Sequence, residues 1–163
     1  MSNDGTEGGP ICSNGFIRRA VPSDAASITR IVAEAYSPYI ARIGRKPAPM
    51  SVDYHELVRT TDHVSVLQDA GDIVGVMVLV AAVDHLLIEN VAVAPAAQGR
   101  GHGRVLLAEA ECRARQLGYR ETRLYTNVAM TENVAWYARL GYVEIERRCE
   151  DGFDRVFLAK ALG

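Results

Sequence analysis

The sequence is short of the features that mark several protein classes. It has three cysteines, Cys12, Cys112 and Cys149, at unrelated spacings, which suggests neither a disulfide framework nor a metal knuckle and fits a reducing, cytoplasmic setting. His55, His63, His85 and His102 form no metal-ligand pattern either. It lacks a basic excess: 18 Lys and Arg against 20 Asp and Glu leave a net charge of −2, unlike the basic stripe of a dedicated nucleic-acid binder. No apolar run is long enough to span a bilayer, since the segment 73–83 is interrupted by Gly75 and stopped by Asp84. The first fifteen residues have no apolar core segment and do not read as a secretory signal. They are expected to be a flexible tail.

What is present is the balance of a globular domain, 48% hydrophobic and 23% charged over 163 residues, enough to bury one core. A single domain over 16–163 is expected. A short strand near 16–20 ends at Pro22, and Ser23 or Asp24 can cap a helix whose buried stripe is Ile28, Ile31, Val32 and Ala35. From Tyr36 to Met50, three prolines and Gly44 predict a loop or broken helix. Asp53 and Glu56 have capping-box spacing for a second helix. The period then shifts to that of strands, with a hairpin of 64–67 and 73–83 around Asp69–Asp72 and a third, antiparallel strand over 85–93 that stops at Pro95.

A helix over 103–117 follows, with Glu109/Arg113 and Glu111/Arg115 pairs on the face away from its apolar stripe. Gly118 ends it. A strand over 121–126, a helix capped by Thr131 and ended by Gly141, and a closing hairpin of 142–149 and 155–162 complete the chain. The predicted order is β-α-α-β-β-β-α-β-α-β-β, a mixed α/β (α+β) fold without internal repeats.

The chemical signal lies between the strand over 85–93 and the long helix. In Gln98-Gly99-Arg100-Gly101-His102-Gly103 the glycines let backbone approach a ligand, and the free N–H groups of the first helical turn point outward at the positive end of the helix dipole. The natural guest is an anion, which Arg100 and Arg104 can hold by charge-assisted hydrogen bonds. The loop lacks the Gly-Lys-Ser/Thr ending of a nucleotide-triphosphate loop. It also lacks the spacing and the early parallel context of a dinucleotide fold.

Val91-Ala92-Val93-Ala94-Pro95 followed by Gln98-x-x-Gly101-x-Gly103 resembles the acetyl-CoA motif of the GNAT (Gcn5-related N-acetyltransferase) superfamily. The run Asn133-Val134-Ala135-Trp136-Tyr137-Ala138-Arg139-Leu140-Gly141-Tyr142 resembles its last helix. The resemblance implies a mainly antiparallel sheet of six to seven strands flanked by about four helices. It further implies an acetyl-CoA-dependent transfer of acetyl to a primary amine of a small molecule, protein or peptide. By position, Val91, Ala92 and Val93 would pair with the pantetheine arm as an added strand would. Gln98, Gly99, Arg100, Gly101, His102, Gly103 and Arg104 would hold the pyrophosphate, Asn133 would contact the pantetheine, and Tyr137 would lie near the thioester sulfur and protonate the leaving thiolate.

The base is open. No carboxylate occurs in Tyr125-Thr126-Asn127-Val128-Ala129-Met130, where many members place a glutamate. Glu89 is the nearby acid, Asn90 or Thr126 could orient a water, and an amine already neutral in solution could attack unaided. The missing glutamate keeps a second reading alive, a non-catalytic acyl-CoA-binding sensor. Tyr36, Tyr39, Arg42 and Arg45 are the expected acceptor-side residues, and the arginines would suit an acceptor carrying carboxylate or phosphate. The closing hairpin leaves room for a homodimer.

Overall fold

The computed structural model describes residues 17–163; the expected tail and Phe16 lie outside the described residues. Seven strands form one sheet in the order β1-β2-β3-β4-β5-β7-β6. They are β1 (Ile17–Arg19), β2 (Val64–Asp69), β3 (Asp72–Ala81), β4 (Leu86–Val93), β5 (Glu121–Asn127), β6 (Val143–Glu150) and β7 (Phe153–Ala161). The helices are α1 (Ala25–Tyr36), a single turn α2 (Ile40–Ile43), α3 (Tyr54–Thr60), α4 (His102–Gln116) and α5 (Thr131–Arg139). The element order is the one that periodicity and turn residues predict. All pairings are antiparallel except β4 with β5.

The two faces of the sheet are covered by separate apolar clusters. Ile28, Ile31 and Val32 of α1 and Val58 of α3 pack with Val64, Val66, Val76 and Val78 on one face. Leu106, Leu107, Ala110 and Ala114 of α4 pack with Met77, Ile88, Leu124, Val156 and Leu158 on the other. Fully burying one such side chain contributes about 1.5–3 kcal/mol, so these two layers dominate the stability.

Charges tie the helices down in ways that differ from the expected solvent face of α4. Glu109 is buried and bonds Arg113, which also donates to Ser65 on β2 at 2.7 Å. Glu111 pairs with Lys160 of β7 at 2.6 Å, not with Arg115. A helical repeat predicts which residues are neighbours along the helix, but the facing strands decide which pairs form. Among the described residues Cys149 is an exposed free thiol. Among the described residues no helix is long and apolar enough to cross a membrane.

Asp24 fixes the entry to α1. Its carboxylate accepts from both terminal nitrogens of Arg18 at 2.7 and 3.0 Å and from the Val21 N–H at 2.8 Å. The Arg18 hydrogen bond, with the Val21 N–H behind it, outweighs burial and holds the carboxyl below its ordinary value of 3.8. Its contribution is therefore full above the unfolded-state value and is lost as pH falls through the lowered folded value. Asp24→Asn is expected to cost about 1–3 kcal/mol at pH 7, from the loss of a charge-assisted cluster. Urea unfolding as a function of pH should show that deficit shrinking below about pH 4.

Candidate active site

The site begins with a failure of pairing. Parallel β4 and β5 are in register only at Leu86–Thr122, Leu87–Arg123 and Ile88–Leu124. Beyond that point β4 continues to Val93 on β3 and β5 continues to Asn127 on β7. A bulge coincides with the divergence: Ile88 and Asn90 oppose consecutive residues of β3, which leaves Glu89 unpaired. The extra residue shifts the alternation, so Leu86 and Ile88 face α4 before it and Val91 and Val93 do so after it, while Ala92 joins the α1 side.

The shift decides where the backbone of β4 points. Ala94 N–H donates to Val74 on β3 at 2.8 Å, so by alternation Val91 and Val93 turn their amides and carbonyls toward the side that β5 has left. Two side chains reach them there. The Tyr36 hydroxyl approaches the Val91 carbonyl at 3.4 Å, and Gln98 Nε2 donates to the Val93 carbonyl at 3.1 Å.

A cavity of about 620 Å³ passes through this gap. Its wall includes Val91, Ala92, Val93, Gln98, Gly99, Gly101, His102, Gly103, Arg104, Asn133 and Tyr137 from one side of the predicted site, and Tyr36, Tyr39 and Glu89 from the other. Arg100, Asn90, Arg42 and Arg45 do not line it.

At the start of α4, Gly99 and Gly101 have φ of +81° and +83°, and a Cβ on either would meet nothing within 4 Å. These two positions need glycine for conformation and keep the loop open. Gly101 caps the helix without a side-chain bond, and the first intrahelical bond is Val105 N–H to the Gly101 carbonyl. The amides of His102, Gly103 and Arg104 thus have no helical acceptor, which is the arrangement that binds phosphate oxygens. Arg100 leans away, with Nη1 3.9 Å from Asp69, and His102 Nε2 lies 3.5 Å from the same carboxylate. The pyrophosphate of coenzyme A fits this cradle, and the exposed edge of Val91 and Val93 fits its amide-bearing arm.

Gly103 has a different task. A Cβ there would stand 3.0 Å from the Trp136 ring, so its absence lets α5 close onto α4. Sequence reasoning did not single out Trp136. It also did not single out Tyr125, Phe153 or Arg155, which line the cavity from β5 and β7. Trp136 stands inside the quoted last-helix run and could have been found there, whereas the β7 residues carry no local signal.

Tyr137 is wedged between Trp136 and Tyr142, with ring centroids 5.1 and 5.8 Å away. Burial raises its phenol well above the ordinary value of 10.0, with Tyr142 and Tyr39 adding to the effect. It stays protonated at neutral pH and can donate. Tyr142 is itself pushed up to about 12 by burial and shares a 3.2 Å hydrogen bond with Thr122. Asn133 donates to Met130 Sδ at 3.6 Å, and Thr126 to the same sulfur at 3.4 Å. Glu89 is exposed in the cavity wall and has no hydrogen-bond partner among the described residues.

Asn90 is buried behind the wall. Its Oδ1 accepts from the Tyr36 hydroxyl at 2.6 Å and its Nδ2 donates to the Tyr54 hydroxyl at 3.2 Å, which in turn donates to the Pro49 carbonyl at 2.7 Å. These bonds fasten α1, α3 and the segment before α3 to the sheet. Arg42 pairs with Glu132 at the start of α5 at 2.5 Å, and Arg45 stacks on Phe153 at 4.0 Å. The irregular segment is thus tied to both sides of the cavity.

A family model for the GNAT acetyltransferase domain matches residues 60–144, just over half of the chain. The chain belongs to the GNAT acetyltransferase family. It is an acyltransferase with acetyl-CoA as donor. No curated protein sequence matches it significantly. Among solved structures, the ribosomal-protein-S18-alanine N-acetyltransferase of Escherichia coli is 19% identical with a TM-score of 0.70, covering 90% of this chain and 92% of its own. A GCN5-related N-acetyltransferase from Rhodopseudomonas palustris gives 21%, 0.74, 90% and 94%. The PaiA N-acetyltransferase of Thermoplasma acidophilum, solved with coenzyme A, gives 16%, 0.69, 89% and 97%. At these identities the likeness establishes the shared fold.

Trp136 is the sole tryptophan, so its fluorescence reports the α4–α5 seam directly. Gly103→Val is expected to cost about 1–3 kcal/mol by overpacking against the indole. The check is urea unfolding with a red-shifted native emission; unchanged stability and emission would mean that the seam does not depend on this glycine.

Proposed function

We propose that this GNAT acetyltransferase moves acetyl directly to a primary amine, of a small molecule or of a protein or peptide, within the gap between β4 and β5. The observation that carries this reading is the continuity of one cavity from the glycine loop, past Tyr137, to Glu89, Tyr36 and Tyr39. Acetyl-CoA supplies an activated thioester. The rest of the chemistry falls to the chain's own groups.

In this reading the amides at the start of α4, with Arg104, hold the pyrophosphate, and the backbone of Val91 and Val93 pairs with the pantetheine amides as an added strand. Ala92 contributes through its neighbours, since its own backbone turns to β3. Asn133 orients the arm near the thioester end. Tyr137, kept neutral by burial, gives its proton to the departing sulfur. Glu89 takes a proton from the acceptor's ammonium, directly or through water, so that the neutral amine can attack, because its carboxylate is an unpaired acid in the cavity wall. Asn90 acts at one remove, by holding Tyr36 against the wall, and Arg42 and Arg45 act by fixing the segment that carries Tyr39.

Tyr137→Phe is expected to lower turnover by on the order of 10²-fold while leaving acetyl-CoA affinity nearly intact, because only the proton donor is lost. Thiol release with a broad amine panel measures the first and calorimetry the second; full turnover in the phenylalanine variant would remove Tyr137 from the mechanism. Gly101→Asp places a disfavoured side chain at a positive φ and a negative charge beside the phosphate cradle. Its coenzyme A affinity should fall at least tenfold with the fold intact by circular dichroism. Normal binding in the folded variant would refute the loop assignment.

A further inference from the structure

Arg155 on β7 is 94% buried, yet it lines the reaction cavity. Its guanidinium lies 4.4 Å from the Tyr125 ring and 5.5 Å from that of Phe153. Phe153 carries Arg45 on a 4.0 Å contact, so two guanidinium groups share one aromatic ring at the rim. A buried arginine is costly unless its charge is used. Only one of its nitrogens has been spent: Nη1 meets Glu150 at 3.1 Å and Asp151 at 3.8 Å. Nε and Nη2 make no hydrogen bond among the described residues and are not among its sealed polar atoms. Arg155 itself forms part of the cavity wall.

Tyr125 lines the same cavity and is near enough to feel both Arg155 and the Glu89 carboxylate. Its phenol is raised by burial first, is opposed by Arg155 and is raised further by Glu89. One cavity therefore presents an unpaired carboxylate and a half-spent guanidinium, both within electrostatic reach of one tyrosine. We propose that the acceptor is an amino acid-like molecule, its amine directed to Glu89 and its carboxylate held by the free Nε–Nη2 edge of Arg155. This deepens the acetyl-transfer reading of the same cavity and rests on it.

The neighbours of Arg155 argue for a carboxylate over a phosphate. With Glu150, shared with Arg148, and Asp151 already beside Arg155, a dianion is held less well than a monoanion, and a single carboxylate matches the planar two-donor edge that remains. A polyamine would set a second cation against that edge. Arg155 is accordingly a specificity-determining residue that the closing hairpin supplies.

The test titrates proteinogenic L-amino acids and γ-aminobutyrate, each against its carboxamide, into the full chain saturated with coenzyme A, with putrescine as the dication control. At least one acid should bind about tenfold or more tighter than its carboxamide, and thiol release from acetyl-CoA should show the same preference mainly in KM. Arg155→Gln should abolish that preference without changing coenzyme A affinity, and Arg155→Lys, which keeps the charge, should restore part of it and serves if the glutamine variant does not fold. Equal binding of acid and carboxamide, tighter binding of putrescine, a preference that survives Arg155→Gln, or no binding by any acid would overturn the proposal. Coenzyme A binding is read in the same titration before acceptor is added. Its absence would sink the acetyl-transfer reading, and the acid and carboxamide comparison on the unliganded chain would still decide the role of the arginine.

Discussion

Three residue pairs hold β4 to β5, and the functional architecture depends on their stopping there. A sheet normally satisfies the backbone groups of an interior strand on both edges, because a buried unpaired amide or carbonyl costs free energy comparable to a lost hydrogen bond. Here β4 is interior by order, between β3 and β5, yet its last residues behave as an edge. Such an edge inside a domain is stable only if something else bonds to it. Tyr36 and Gln98 take up two carbonyls, and the remaining groups are those suited to the amide-bearing arm of the donor.

The divergence also explains why the two halves of the domain need cross-ties. Helices α1 and α3 pack on β3 and β4, while α5 and the closing hairpin lie with β5 and β7. Where the strands part, the bridge passes to side chains: Arg42 to Glu132, Arg45 to Phe153, and Gly103 receiving Trp136. The exposed ion pair contributes little by itself, since both partners are half in water. The Trp136 contact contributes more, because it is close-packed and fixes the helix that carries Tyr137.

Much of this was legible in the sequence, and the illegible part has a common cause. Helices and strands follow local period, so α1, α4 and the hairpin of β2 and β3 could be read from Ile28, Ile31 and Val32, from Leu106, Leu107 and Ala110, and from the turn at Asp69–Asp72. The glycine loop could be read because its chemistry is contiguous. The bulge at Glu89 could not, since an alternating run looks the same whether or not its partner skips a residue. Nor could the placement of β7 between β5 and β6, which is what brings Arg155 beside Tyr125. Arg42 and Arg45 carried the right charge at the right distance from the helices, but an arginine's reach is long enough that only the fold decides whether it faces a cavity or a neighbouring element.

The donor and acceptor sides therefore differ in how they are encoded. In the proposed reading phosphate and pantetheine are recognised largely by backbone, through a helix start and a strand edge, and backbone geometry is specified by short sequence patterns rich in glycine and β-branched residues. In the proposed reading the acceptor is recognised by side chains drawn from α1, β4, β5 and β7, which are far apart in sequence and meet only at the gap. A chain can keep the first set and exchange the second without disturbing the two apolar layers, because Glu89, Tyr125 and Arg155 face the cavity and are absent from both core clusters. The same gap that fixes the donor thus leaves the choice of amine to residues the core does not constrain.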